Sequence, residues 1–189
     1  MNDEEQLFAQ AQDLYQKGRH LEAFQLFVEL ANRERVGSQR FVGWMYFFGE
    51  GVERDPVKAF DWFKRAAANG DREAKFGAGR VQLLLKNDTA AFDWFSQACK
   101  EGFVPGCFRV GWMLRDGRGC QQSLSKSLDV LRKAYQSGHL PAGRAMAILL
   151  IRGQGGLVGR LKGACLMVKV LIEIVVLAIR DPKSQRFMY

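Results

Sequence analysis

Apolar residues recur at helical spacing through most of the chain, and the pattern is clearest between residues 55 and 70. The apolar positions there share one helical face, and they are Ala59, Phe60, Phe63, Ala66 and Ala67. Asp55 supplies an acceptor for the first N–H groups of a helix, and Pro56 suits the first helical position because its missing N–H is not needed there. Asn69-Gly70 is a typical helix end. The segment therefore predicts one helix with defined ends.

The same pattern repeats along the chain. Residues 59–63 and 91–95 are identical and lie 32 residues apart. Extending this register gives five anchor positions, at Phe24, Phe60, Phe92, Leu128 and Ala164. A small residue follows each of the first four anchors by 19 residues, at Gly43, Gly79, Gly111 and Ala147. Two sets of positions in one register predict a repeated unit.

The spacing between a small residue and the next anchor varies in one place only. It is 17 residues after Gly43, Gly111 and Ala147, but 13 after Gly79. A constant spacing on one side and a four-residue deletion on the other indicate two helices joined by a loop. Glycine inside the first helix of a pair lowers helix propensity by roughly 1 kcal/mol, and close approach of a neighbouring helix would compensate. We therefore predict an all-α chain of about five antiparallel helix pairs.

The stretch from Gly43 to Gly70 resembles a Sel1-like repeat, whose pattern is LGxxYxxGxGVxxDxxKAxxWxxxAAxxG. Residues 111–138 are similar but degenerate, residues 74–102 lack the Gly-x-Gly-Val loop, and residues 7–31 are closer to the related tetratricopeptide type. The resemblance covers about residues 5–165. It implies an α-solenoid that acts as an adaptor or scaffold in protein complexes, and it marks Trp62 and Trp94 as scaffold residues of the core.

Stacked repeats expose a concave face built mainly from the first helix of each pair. The side chains expected on that face form a column: Arg40, Trp44, Phe76, Arg80, Phe108, Trp112, Arg115 and Arg144. The Sel1 pattern does not require Trp44, Arg80 or Trp112, and Trp and Arg dominate the energetics of protein interfaces. We interpret the column as a docking site for a protein or peptide, with an acidic partner as one option. The alternative is that the aromatic rings fill gaps between repeats.

Cys99 and Cys107 have a spacing similar to that of the disulfides in secreted, cysteine-rich Sel1-type proteins. The resemblance thus makes them a candidate disulfide, in a secreted protein with hydrolase or ligand-binding activity. The chain begins with the acidic Met1-Asn2-Asp3-Glu4-Glu5, which is unlike a secretory signal, so we expect a cytoplasmic protein with reduced thiols. A disulfide between Cys99 and Cys107 and two reduced thiols remain alternative predictions.

Charge is distributed unevenly between the two halves of the chain. Residues 1–100 carry 14 Lys and Arg against 15 Asp and Glu, whereas residues 101–189 carry 14 against 5. The excess positive charge of the second half could attract nucleic acid or an anionic membrane. Aromatic residues are not interleaved with the basic ones, so both partners are secondary alternatives to a protein partner.

The end of the chain departs from the repeat. We divide the sequence into a repeat solenoid at 1–165, an apolar C-terminal helix at 166–182 and a tail at 183–189. The end of a solenoid needs a polar outer face, yet residues 166–179 are interrupted only by Lys169 and Glu173. We expect this helix to mediate homo-oligomerisation, to dock a partner or membrane surface, or to fold back over the last groove.

Nothing in the sequence favours catalysis or a cofactor. Asp55, Asp61, Asp93 and Asp129 recur with the repeat, which indicates caps and solvated faces instead of one acid–base pair. Residues 153–159 are glycine-rich but fit neither nucleotide-binding pattern, and the repeat register predicts that they form the loop between the two helices of the last unit. We therefore predict a non-enzymatic interaction scaffold without a cofactor.

Overall fold

The computed structural model describes residues 3–154 and 156–180, and within these ranges the regular secondary structure is entirely helical. The helices are α1 (Asp3–Gln16), α2 (His20–Asn32), α3 (Val36–Phe48), α4 (Pro56–Ala68), α5 (Arg72–Leu84), α6 (Asp88–Lys100), α7 (Val104–Asp116), α8 (Leu124–Gln136), α9 (Leu140–Leu149) and α10 (Gly156–Arg180). A π-helical turn, Leu150–Gln154, extends α9. The chain divides into two compact units, Met1–Phe103 and Val104–Tyr189.

The first unit contains three helix pairs, α1/α2, α3/α4 and α5/α6, and consecutive helices pack on one another. Each pair places one phenylalanine of its second helix fully inside the unit, at Phe27, Phe63 and Phe95. Small residues surround these rings, because a larger side chain would overlap them. A Cβ atom added to Gly43 would lie 2.8 Å from the ring of Phe63, and one added to Gly79 would lie 2.6 Å from Phe95. The close approach predicted for the intrahelical glycines is confirmed.

The second unit contains the pairs α7/α8 and α9/α10. Leu131 takes the place of the buried phenylalanine, and a Cβ atom on Gly111 would lie 2.7 Å from its side chain. The core continues through Ala134, Ala142 and Met146. The same packing rule therefore holds in both units, with an aliphatic side chain replacing the aromatic ring.

The predicted helix ends are confirmed. The carboxylate of Asp55 accepts hydrogen bonds from the backbone N–H groups of Val57 and Lys58, each at 3.0 Å. Gly70 and Gly138 follow their helices with φ values of +83° and +86°. The four-residue deletion is also confirmed, because seven residues join α3 to α4 and three join α5 to α6.

The Gly-x-Gly-Val loop after α3 has a packing role. Gly51 has a φ of +72°, and a Cβ atom there would lie 2.3 Å from the backbone oxygen of His20. Only glycine lets this loop lie directly against the turn that begins α2.

The end of the chain differs in detail from the sequence expectation. Residues 153–159 are not one loop, because Gln154 ends the π-helical turn and Gly156 already begins α10. Residues 166–180 continue a helix that starts ten residues before position 166. Residues 181–189, which include the predicted tail at 183–189, lie outside the described residues.

Candidate functional site

A pocket opens between α1, α3 and α5 of the first unit, on the first helices of the three pairs. Its volume is about 240 Å³, and its lining residues are Tyr15, Phe41, Trp44, Met45, Phe48 and Arg80. The pocket is thus walled mainly by aromatic rings, and Arg80 is the charged residue in its lining.

Trp44 connects the pocket to the core. Its ring meets that of the buried Phe63 edge to face, with the centroids 4.8 Å apart, and stacks on Phe48 with the centroids 5.7 Å apart. The side chain is half-buried. Trp44 therefore fills space between helices and also lines an open pocket, and its role in docking stays a prediction.

Arg80 lies against the aromatic wall. Its guanidinium carbon is 4.8 Å from the ring centroid of Phe47, 5.3 Å from Trp44 and 5.4 Å from Phe48. Contacts of this kind orient a guanidinium group and add roughly 0.5–2 kcal/mol each. The aromatic cluster of α3 thereby holds the positive charge of α5 at the pocket.

Tyr15 closes the pocket on the side of α1. Its hydroxyl donates a hydrogen bond to Oε2 of Glu50 at 2.5 Å. Burial, together with the hydrogen bond to Glu50 and its negative charge, raises the pKa of Tyr15 to about 12. The phenol is therefore neutral at physiological pH and ties α1 to the loop after α3.

Other side chains of the predicted column in this unit lie outside the pocket. The guanidinium of Arg40 is 3.0 Å from carboxylate oxygens of both Asp71 and Glu73. Phe76 packs on Phe95 and Phe103, with centroid distances of 5.4 Å and 5.3 Å. Arg40 thus joins two helices through ion pairs, and Phe76 belongs to the packing of α5 on α6.

Four pocket residues were missed by the sequence analysis: Tyr15, Phe41, Met45 and Phe48. Phe41 and Phe48 lie three and four residues from Trp44, which makes them its neighbours on the helix surface. The position of Tyr15 in the column could also have been predicted from the length of the loop after α1. The loop between α1 and α2 has three residues, as does the loop between α5 and α6. Applying the shorter spacing to the first pair aligns Ala11 with Gly43 and places Tyr15 in the column.

The second unit carries its own part of the predicted column. Trp112 is 41% exposed, meets Phe108 edge to face at 5.8 Å, and lies 4.0 Å from the guanidinium carbon of Arg115. Arg115 also forms two hydrogen bonds of 2.6 Å with the carboxylate of Asp116. The structure brings these three column residues together, while Arg144 is exposed on α9. Their role in docking stays a prediction.

Trp62 and Trp94 do not line the pocket, but neither is as fully buried in the core as the resemblance implies. Both are half-buried: Trp62 packs on the core around Phe27, and Trp94 on the core around Phe63. Each indole thus joins its own repeat to the preceding one.

The cysteines divide into two groups. Cys120 and Cys165 are free, and Cys165 is exposed. Cys99 lies in α6 and Cys107 in α7, and the bridge between them stays a prediction.

Neither a metal site nor a membrane span is present in the part of the chain that the structure describes. No group of three or more His, Cys, Asp or Glu side chains is arranged there to hold a metal ion. None of the helices found within those residues is long and apolar enough to cross a membrane.

Comparison with solved structures places the fold among Sel1 and tetratricopeptide-like proteins. A Sel1 repeat protein from Oxalobacter formigenes is 20% identical over 96% of this chain and 73% of its own, with a TM-score of 0.79. The Escherichia coli antigen c5321, which displays an SLR fold, is 23% identical with a TM-score of 0.70. The match covers 79% of this chain but 34% of that antigen. MamA is 16% identical over 89% of this chain and 96% of its own, with a TM-score of 0.65. These likenesses show the all-α solenoid fold of paired helices.

The sequence comparisons identify the family. No curated protein matches the chain. The Sel1 repeat family matches residues 36–71, 76–103 and 104–139, which together make up more than half of the chain. These ranges contain the pairs α3/α4 and α7/α8, and also the pair α5/α6 except for the first four residues of α5. The chain therefore belongs to the Sel1 repeat family, whose members are typically non-enzymatic interaction scaffolds.

Proposed function

We propose that the chain is a non-enzymatic scaffold that holds a protein or peptide partner through the pocket between α1, α3 and α5. The observation that carries this proposal is the pocket itself, which is aromatic-walled, open to solvent and lined by Trp44, Phe48 and Arg80. Interface energy concentrates where a large anchor side chain fills such a pocket, with Trp and Arg as the commonest contributors.

The size of the pocket favours a single side chain over a small-molecule ligand. Its volume is about 240 Å³, whereas small-molecule sites are roughly 300–1,000 Å³. A large apolar residue of a partner fits this space and would contact rings on three sides. We propose an anchor of this kind.

Charge plays a smaller part in the proposal. Arg40 pairs with Asp71 and Glu73, and Arg115 pairs with Asp116, so two arginines of the predicted column are already neutralised within the chain. An acidic partner would therefore gain less from the column than its arginine content suggests. We expect binding to depend strongly on the apolar anchor and weakly on salt.

Selection from a random peptide display library, with the full chain as bait, tests the proposal. We expect the enriched peptides to share one large apolar residue. Phe48→Ala should weaken their binding by about 2 kcal/mol, or roughly thirtyfold, because Phe48 is 49% exposed and forms a wall of the pocket. Leu21→Ala is the matched control, since Leu21 is 60% exposed on α2 and does not line the pocket.

Two results would reject the proposal. One is a selection that enriches no peptide. The other is a set of peptides whose affinity changes equally in the Phe48 and Leu21 variants, because the binding site would then lie elsewhere.

The cytoplasmic location expected from the sequence belongs to the same proposal. Cys165 is an exposed free thiol, which is compatible with a reducing compartment. A secreted Sel1-type protein would instead carry the bridge between Cys99 and Cys107. Mass spectrometry of the natural protein, alkylated before and after reduction, decides between the two locations. A bridged protein incorporates two more alkyl groups after reduction, and a reduced protein incorporates no more.

A further inference from the structure

The outward face of α10 differs from the outward face of the preceding second helix, α8. Four outward positions of α8 are polar and exposed, at Ser125, Asp129, Arg132 and Gln136. One repeat later, 36 residues on, the corresponding positions of α10 are Leu161, Cys165, Val168 and Ile172, all of them exposed. The repeat thus supplies an internal reference: the same places in the fold are polar in α8 and apolar in α10.

This apolar face lies opposite the side of α10 that packs on α9. Val170 is fully buried, and a Cβ atom on Gly163 would lie 2.8 Å from the backbone oxygen of Ala147, so the inner side of α10 is tightly packed. The outer side carries seven large apolar side chains that are 53–74% exposed: Leu157, Val158, Leu161, Val168, Leu171, Ile172 and Val175. An exposed apolar patch of this kind is often a functional surface.

The apolar residues of the outer face follow a seven-residue repeat. Its three rows are Leu161, Val168 and Val175; Leu157, Ala164 and Leu171; and Val158, Cys165 and Ile172. A sustained seven-residue repeat is the spacing at which two helices wind around each other. Two of the three residues in the first row are β-branched, and two of the three in the second are leucines, which is the combination that favours a two-stranded pair.

The charged residues of α10 lie where they would not oppose a second copy of the same helix. The basic residues of this stretch, Arg160, Lys162 and Lys169, lie outside the three rows. Lys169 also lies 4.0 Å from the carboxylate of Glu173 on the same helix. Two copies that meet along the rows therefore bring together apolar side chains only.

We propose that α10 pairs with α10 of a second copy of this chain, so that the apolar outer faces are buried in a homodimer. This surface is separate from the pocket of the first unit, and the proposal does not depend on peptide binding.

The apolar area that each α10 can bury limits the stability of the dimer. A whole aliphatic side chain buries roughly 60–120 Å², so the seven partly exposed side chains offer about 250–500 Å² per copy. An open groove of about 630 Å³, lined by Lys169 and Glu173 as well as by Tyr135, Leu140, Ile172 and Val176, borders this surface and adds polar contacts at its edge. Stable interfaces bury about 800 Å² per partner, and weaker specific ones bury less. Because this area lies near the lower limit for specific interfaces, we expect the dimer to be weak and reversible.

An anionic membrane is the competing occupant, and it is less well matched. Helices that lie in a membrane interface place Trp, Phe or Leu on the apolar face and are rich in Lys and Arg on the other, whereas residues 157–176 contain no aromatic residue and three basic ones. A lipid surface also needs no seven-residue repeat.

Sedimentation velocity across a micromolar concentration series tests the pairing with the full chain. We expect the weight-average mass to rise with concentration towards twice the 21.4 kDa of one chain. Val168→Glu should raise the dissociation constant by about tenfold or more, because it places a charge in the middle of the apolar rows. Arg132→Glu is the matched control, since Arg132 is the corresponding exposed residue of α8 and should leave the dimer unchanged. Circular dichroism shows whether both variants retain their helices.

Cross-linking provides a second test, which does not depend on a destabilising substitution. Cys165 is exposed and belongs to one of the rows. A bismaleimide should therefore link two chains of the wild type but not of Cys165→Ser. A monomer at every concentration overturns the proposal, and so does a dimer that persists in Val168→Glu. If the chain is monomeric in solution but binds phosphatidylserine vesicles in a way that Val168→Glu abolishes, the membrane is the occupant and the proposal is wrong.

Discussion

Trp44 in the first unit and Trp112 in the second occupy the same place in their repeats, directly after the small residue of the first helix, yet they have different surroundings. Trp44 is half-buried, touches the buried Phe63 and lines a pocket. Trp112 is 41% exposed and is covered on one side by Arg115. Position in a repeat thus fixes the direction of a side chain, whereas its neighbours decide whether it forms part of a pocket.

The neighbours differ because the two cores differ. In the first unit a flat ring, Phe63, lies under Trp44, and α5 contributes Arg80. In the second unit Leu131 of α8 occupies the core position. Arg115 lies over the indole of Trp112, and both residues belong to α7. In the first unit, α1 and α5 contribute Tyr15 and Arg80 to a pocket whose other lining residues all belong to α3.

The largest expected effect comes from removing the core ring. Phe63→Ala should lower the free energy of unfolding by about 3–5 kcal/mol, because Phe63 is fully buried and leaves a cavity between two glycine-containing helices. Leu131→Ala in the second unit should cost about 2–5 kcal/mol. Urea denaturation followed by circular dichroism measures both. A Phe63 variant that loses less than about 1 kcal/mol would contradict the packing described for the first unit.

The two tryptophans themselves give the next effect. Trp44→Ala should cost about 2–3 kcal/mol of stability, because part of the indole packs on Phe63, and Trp112→Ala should cost less than about 1 kcal/mol, because its ring is more exposed. The same denaturation experiment applies. Equal costs would mean that the two rings have equivalent environments, against the comparison made above.

In each unit a tyrosine hydroxyl donates a hydrogen bond to a glutamate, so the two units can also be compared through these two bonds. The hydroxyl of Tyr15 donates to Glu50 at 2.5 Å, and that of Tyr135 donates to Glu173 at 2.9 Å. Burial and the nearby carboxylate raise the pKa of both phenols, that of Tyr15 to about 12. Because the raised pKa favours the neutral phenol, the hydrogen bond is retained at neutral pH and is lost only as the pH rises beyond the ordinary tyrosine range.

Tyr15→Phe should therefore cost about 1 kcal/mol, and Tyr135→Phe less. Denaturation at pH 7 measures the two costs. Alkaline titration of tyrosine absorbance should lose its latest-ionising component in Tyr15→Phe and keep it in Tyr135→Phe. The pairs are not structural if both variants have wild-type stability.

The smallest effect concerns pH and the second unit alone. Burial lowers the pKa of His139 below its ordinary value of 6.5, and Nδ1 of its ring accepts a hydrogen bond from the N–H of Ala142 at 3.2 Å. A lowered folded-state pKa means that the unfolded chain binds the proton more readily, so stability falls as the pH drops below about 6.5. His139→Asn keeps a capping acceptor and should reduce this acid sensitivity, by up to about 1 kcal/mol. Denaturation at pH 7.5 and pH 5 provides the check, and identical pH dependence in the variant would refute the role of His139.

The sequence predicted the helix pairs well because their determinants are local. Asp55 caps a helix through its own neighbours, and Gly43 is recognised by its fixed distance from an anchor residue. The pocket was harder to predict, since it joins residues of three helices. Trp44 and Arg80 were identified from the register, whereas Tyr15 was missed because the shorter loop after α1 shifts its repeat.

Two residues of the predicted column, Arg40 and Phe76, have partners within the chain that the sequence does not reveal. Arg40 is followed by Asp71 and Glu73 only after 31 and 33 residues, so its two ion pairs depend on how α3 and α5 pack. Phe76 has the same place in its repeat as Arg40, but it packs on Phe95 and Phe103. The register of the repeat predicts which positions share a column. Contacts within the folded chain determine which of those side chains are still free to contact a ligand.

Affinity measurement with one selected peptide tests the central claim most directly, with the Phe48→Ala and Trp112→Ala variants compared by isothermal titration calorimetry. The account predicts that Phe48→Ala weakens binding by roughly thirtyfold and that Trp112→Ala changes it by less than about fivefold. Equal losses in the two variants, or a larger loss in Trp112→Ala, would contradict the claim that the pocket between α1, α3 and α5 holds the partner's anchor residue.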